Sequence, residues 1–227
     1  MWAVIKKEFK SYFLSPIGYV VVGVLLFTSS IFFYLTSVQS GSVDLGSLYY
    51  YVALYGLIIA VPILTMRMFS EERKNGTEQL LLTTPISITK VVFGKLFAAL
   101  GVIVITLVLS LMYFIIVNIF AKASIVPVLT SMFGFILISA AAISIGMFAS
   151  SLTENQVISG IITIAFLLMS VFLPNLSDIF TKLSLIRFFN KFPSGLISLT
   201  EVTGLLSFAM VFVSLTIIIM QRRKSVK

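Results

Sequence analysis

Long apolar runs alternate with short polar segments along this chain, and each run is close to the ~20 residues a helix needs to cross the hydrocarbon core of a bilayer. The runs cover roughly residues 17–37, 48–69, 93–119, 126–151, 157–173 and 204–220. A helix keeps its backbone hydrogen bonds internal, so helices are predicted for all six. The third and fourth runs exceed the required length, which predicts tilt or extension beyond the bilayer.

The first residues follow a different pattern. Trp2, Ile5, Phe9, Tyr12 and Phe13 recur at helical spacing with Lys6, Lys7 and Lys10 between them. That pattern predicts an amphipathic helix lying at the membrane interface over residues 1–15, ended by Ser15-Pro16. The apolar run behind it is too long for the core of a signal peptide, and no small-x-small cleavage site closes it, so the helix is expected to remain uncleaved.

The segments between the runs are unequal. Residues 38–47 and 152–156 are short, residues 70–90 form a long charged loop, and residues 174–203 form a long outer segment. In that last segment Leu176, Ile179, Phe180, Leu183, Ile186 and Phe189 fall at helical spacing between Pro174 and Pro193. A hydrophobic helical hairpin is expected there, between the fifth and sixth runs. It either dips into the outer leaflet or packs across the bundle as a surface helix. The fold class expected is therefore all-α and integral to the membrane, with six transmembrane helices in a single domain over residues 1–227.

Composition agrees. The chain is 59% hydrophobic and 11% charged, with a mean hydropathy of +1.13, whereas a soluble domain carries about a quarter charged residues. Lipid must be the solvent for much of its surface. The net charge of +8 concerns topology and anionic headgroups rather than nucleic acid. With the N-terminus inside, twelve basic residues fall on the cytoplasmic side and four (Lys122, Lys182, Arg187, Lys191) outside. Both termini are therefore expected in the cytoplasm. A five-span arrangement would place the Arg222–Lys227 cluster outside, against the positive-inside rule.

Little catalytic chemistry is available. The chain has no cysteine and no histidine, which removes thiolate chemistry and the commonest general base and metal ligand. No catalytic residue and no metal site is expected. All eight acidic residues lie in loops or near the ends of runs, and Arg67 and Lys95 lie near cytoplasmic ends, where they are expected to snorkel. Uncharged run centres argue against a carrier driven by an ion gradient. A phosphate-binding G-x-x-x-x-G-K-[ST] loop is absent: the one Gly-Lys pair is Gly94-Lys95, with Thr89 where the first glycine belongs and Leu96 after the lysine. Any ATPase must be a separate chain.

The most informative stretch is residues 66–95, MRMFSEERKNGTEQLLLTTPISITKVVFGK. Ser70 is expected to cap a short helix holding Glu71 to Lys74, with Asn75-Gly76 ending it through a left-handed residue. Leu80, Leu81, Leu82, Ile86 and Ile88 are too apolar for a solvated loop and imply packing against protein or lipid.

Those residues resemble the permease subunit of type 2 ABC exporters. Met66-Arg67, Phe69 to Arg73, Gly76-Thr77, Leu81 to Thr83, Pro85-Ile86 and Gly94-Lys95 follow that family's pattern, and Gln79 departs from it where the family often has Glu. The closest likeness is to the small six-span permeases of the gliding-motility group and related efflux permeases. Glu8–Val20 is similar to the family's interfacial helix entering the first span, and Phe188–Glu201 to the stretch before the last span. The resemblance implies a dimer of permeases, identical or homologous, in the plasma membrane above two cytosolic ATPase subunits that bind ATP and magnesium. It also implies a coupling helix after the second span that docks on the ATPase. Glu71, Glu72, Arg73 and Lys74 are then the candidate contacts, with Gly76 and Thr77 setting the turn. The interfacial helix, through Lys6, Lys7 and Lys10, would ride on the same partner.

For the substrate path the candidates are the polar residues at membrane depth, Thr28, Ser29, Thr106, Ser110 and Asn118. The competing reading is that such groups bond their own backbone. Ala142, Gly146 and Ser150 form a small-x-x-x-small stripe that predicts close helix approach, within the chain or, as the alternative, across a dimer contact. The function implied is outward movement of a hydrophobic or amphipathic molecule (drug, lipid or peptide), with a non-transporting accessory subunit as the alternative.

Overall fold

The structure is a computed structural model, and it describes residues 1–41, 44–79, 87–172 and 184–225. The described residues form helices joined by short turns. Helix α1 (Trp2–Leu14) ends at Ser15, and α2 (Ile17–Phe33) continues through a π-helical turn to Val38. Asp44 caps α3 (Leu45–Tyr51), its carboxylate accepting from the Ser47 N–H at 3.1 Å. A second π turn at Val52–Gly56 leads into α4 (Leu57–Thr65) and then the short α5 (Ser70–Lys74). Next come α6 (Ile88–Phe120), α7 (Ile125–Leu152) and α8 (Gln156–Phe172). The chain closes with α9 (Leu185–Phe189) and α10 (Leu199–Ser225).

Among the described residues five helical stretches are long and apolar enough to cross a membrane, at Ile17–Val38, Leu45–Lys74, Ile88–Phe120, Ile125–Leu152 and Leu199–Arg223. The fifth expected span is the shorter apolar helix α8. Its start lies beside Met66, the nearest side chain to Gly160. Near its other end Ser170 accepts a hydrogen bond from the Leu185 N–H at 2.9 Å. At 33 residues, α6 is roughly 50 Å long at the helical rise, well beyond the ~30 Å hydrocarbon core.

The core lies around α7, which packs against α10, α8, α6 and α4. Its small-residue stripe is what permits this. A Cβ on Gly146 would stand 2.2 Å from the Thr65 hydroxyl oxygen, and Ala142 is buried beside it. The stripe therefore serves packing within the chain. The outer faces stay apolar: Phe27 on α2, Val108, Met112 and Ile115 on α6, and Met210 on α10 are all exposed. Exposed rows of this kind suit lipid as the solvent.

Of the expected outer hairpin, Leu176, Ile179, Phe180 and Leu183 lie outside the described residues. The described remainder packs into the bundle rather than standing apart. Phe189 and Phe192 are fully buried and stacked, and Phe192 covers Gly134 of α7 so closely that a Cβ there would meet the ring at 2.4 Å.

Candidate functional site

Most of the described charged residues gather at one end of the bundle, around α1, α5, the turn between α7 and α8, and the end of α10. Helix α5 is only five residues long, too short to be stable alone. It carries Glu71 and Glu72 in its first turn and Arg73 and Lys74 in its last, the charge order that suits a helix dipole. Gly76 follows with φ of 71°, the left-handed conformation expected for the turn.

The cap differs from expectation. Ser70 does not cap α5: it is the first helical residue, and its hydroxyl bonds back to the Met66 carbonyl. The free N–H groups of Phe69 and Ser70 instead donate to the Ser150 hydroxyl of α7, at 3.0 and 3.1 Å. A side chain from a helix eighty residues away thus holds the start of α5. No local capping pattern reveals it.

Lys95 also departs from expectation. It does not snorkel to the interface; its side chain is 2% exposed. The ammonium donates to Glu72 at 2.9 Å, to Glu8 at 3.2 Å and to the Met68 carbonyl at 2.8 Å, and it lies 5.2 Å from the centre of the Phe69 ring. Beside it Gly94 allows α1 to lie directly on α6, since a Cβ there would stand 2.8 Å from a Val4 methyl carbon. The Gly-Lys pair is thereby explained: the glycine admits α1 and the lysine pairs with it. Tyr12 is buried nearby. Burial pushes its phenol pKa up, and Glu8 and Glu72 push it further, so the hydroxyl stays neutral.

The remaining candidates divide by direction. Glu71 pairs with Arg67 at 2.6 Å, and Arg73 pairs with Glu154 at 2.7 Å. Glu72 turns inward to Lys95. Lys74, Gly76 and Thr77 are exposed and form the tip of the segment. On α1, Lys6, Lys7 and Lys10 are exposed as an amphipathic helix requires. A cleft of about 760 Å³ opens between α1 and α5, lined among others by Lys7, Lys10, Tyr12, Arg67, Glu71 and Thr77. Glu78 is held by Arg223 at 3.1 Å, and Arg223 also donates to the Ser151 carbonyl, which fastens the end of α10 to the same cluster. Leu80 to Ile86, whose apolar residues were expected to pack against protein or lipid, lie outside the described residues.

The five substrate-path candidates all bond groups of this chain. Thr28, Ser29 and Thr106 donate to carbonyls four residues back, at 2.7, 2.8 and 3.1 Å, and Asn118 does so at 3.1 Å. Ser110 bonds the Leu107 carbonyl and shares a 3.0 Å hydrogen bond with the Tyr49 hydroxyl, tying α6 to α3.

Sequence reasoning did not foresee the roles of Lys95, Glu8 and Ser150. One clue to the first was present: a lysine embedded in V-V-F-G-K-L-F needs an acidic partner if it is to be buried. Among curated proteins none matches this chain. A family model described as ABC-2 family transporter protein matches residues 2–221. With that match over nearly the whole chain, on an all-helical bundle bearing several membrane-crossing helices, the protein belongs to the ABC-2 family of membrane transport components.

Proposed function

We propose that this chain is the permease subunit of an ATP-driven exporter, moving a hydrophobic or amphipathic molecule outward through a path completed by a second permease, identical or homologous. Two separate cassette ATPase subunits bind ATP and magnesium and supply the energy. The observation that carries this reading is the charged end itself. A five-residue helix with an exposed tip at Lys74 to Thr77 is anchored to the bundle through Ser150, Lys95 and Glu154. A segment held this firmly passes a push from a cytosolic partner to the spans rather than absorbing it. The exposed charges suit a contact that needs electrostatic register.

In this reading α8 is the sixth crossing, both termini are cytoplasmic and the membrane is the plasma membrane. Support comes from the ion pairs that bring Arg223 near the C-terminus to the same end as α1, and from the excess of basic residues on that side. The test is co-purification of this chain with the cassette ATPase encoded beside it, followed by ATP hydrolysis in nanodiscs. A stable complex with turnover supports the reading; a chain that purifies without such a partner overturns it. Lys74→Glu, at the exposed tip, is expected to weaken the association while leaving insertion intact.

A further inference from the structure

Three elements at the charged end converge on one atom. The Lys95 ammonium has three protons, and each has an acceptor: Glu8 of α1, Glu72 of α5 and the Met68 carbonyl in the turn that leads into α5. Its own backbone belongs to α6. The cleft of about 760 Å³ opens between α1 and α5, and Lys95 forms part of its lining. Among the described residues the ion pairs that link α1 to α5 run through this lysine.

Stability alone is a poor reason for such a cluster. Apolar side chains of similar volume often replace buried ion pairs without loss. Two carboxylates on one cation also leave an excess negative charge, and one Glu72 oxygen is buried with no partner. What the arrangement supplies is direction and register: a tripod of donors aimed at two helices that otherwise flank an open cleft.

We propose that Lys95 is a positioning residue for energy coupling, whose ammonium clasps the interfacial helix α1 and the coupling helix α5 into one rigid body seated on α6. The proposal rests on the permease reading above. A load applied by the ATPase to either helix then reaches α6 through both, and α1 does not lag behind α5. Lys95 touches neither nucleotide nor cargo; it acts through Glu8 and Glu72.

The chain has no cysteine, so spin labels can be placed at will. Ala3 on α1 and Asn75 beyond α5 are both exposed, and Ala3→Cys with Asn75→Cys reports the distance between the two helices. In the nanodisc complex with the ATPase, one narrow distance is expected, the same without nucleotide and with a non-hydrolysable ATP analogue. A distance that changes with nucleotide overturns the proposal. Glu8→Met then removes one arm of the clasp and leaves Lys95 and Glu72 as a neutral pair, so the core stays charge-balanced. Loss of the single narrow distance is expected, with co-purification and basal ATP hydrolysis retained. A distance as narrow as in the parent chain overturns the proposal. If Glu8→Met fails to insert, the nucleotide series on the parent chain still decides. Absence of any ATPase complex would count against the permease reading alone, and the label distances measured on the chain by itself would still decide whether the clasp holds.

Discussion

At one end of the bundle α1, α5 and α6 meet on a buried ammonium, while at the other Tyr50, Phe189 and Phe192 stack their rings over a glycine of α7. The aromatic end has one ion pair among the described residues, Lys191 to Glu201 at 2.7 Å, with the lysine more than half exposed. The charged end has five more, and Lys95 takes part in two of them. Stacked rings are held by area and shape, and small displacements cost them little. A donor tripod on two carboxylates is directional, and a shift of an ångström breaks it. The end that the proposed reading turns toward an ATPase is thus the one built from contacts with a defined position. The end away from it is sealed by packing.

The sharpest way to break this comparison is Lys95→Met. It leaves Glu8 and Glu72 buried without a counter-ion, and removing one partner of a buried pair costs about 3–5 kcal/mol. Thermal unfolding in detergent is expected to show that loss. Adding Glu8→Gln and Glu72→Gln, so that the site is neutral throughout, should recover most of it. If Lys95→Met alone is as stable as the parent, the charged end is not held by this lysine.

At the other end Phe192→Ala removes a ring with no exposed surface, a change that costs about 3–5 kcal/mol when the cavity cannot collapse. The glycine beneath it, Gly134, is expected to leave room for part of that collapse, so the loss should fall at or below the lower bound. The complementary change, Gly134→Ala, forces the ring to move and is expected to destabilise by about 1–3 kcal/mol. Neither substitution should alter ATPase association, because both lie at the opposite end from α5. A loss of association in Phe192→Ala with the fold intact would show that the two ends are coupled.

Smaller again is Ser150→Ala, which leaves the Phe69 and Ser70 N–H groups without their acceptor. Loss of a cap costs about 0.5–2 kcal/mol. The effect should be local, seen as faster amide exchange in α5 with little change in the unfolding midpoint. The smallest effect is expected for Arg73→Ala. Its partner Glu154 is 60% exposed, and pairs of that kind contribute about 0–1 kcal/mol. A larger loss there would mean that the turn between α7 and α8 bears more of the load on α5 than its exposure suggests.

Much of this molecule is visible before any folding is considered. The runs at 17–37 and 126–151 lie within two residues of the helical stretches Ile17–Val38 and Ile125–Leu152, because a helix that crosses a membrane must be apolar along its length, whether lipid or other helices surround it. The end of α5 at Asn75-Gly76 was legible too, since only a left-handed glycine makes that turn cheaply. The start of α5 was not. Ser70 is of a type favoured at a cap, yet the donors at Phe69 and Ser70 are claimed by Ser150 from α7. Lys95 was misread for a related reason: position near a span end predicts snorkelling only if no acid lies within reach.

The amino-acid sequence by itself determined the solvent, the helices, the charged loop and the lack of cysteine and histidine, because hydropathy, periodicity and residue inventory are properties of a chain before it folds. Only the tertiary structure decided which charge faces which. Glu8, Glu72 and Lys95 are separated by dozens of positions, and nothing in their local spacing says that α1 will lie over Gly94. Ion pairs and distant caps depend on where helices cross, and close crossing is permitted by small residues such as Gly94 on α6, which meets Val4, and Gly146 on α7, which meets Thr65.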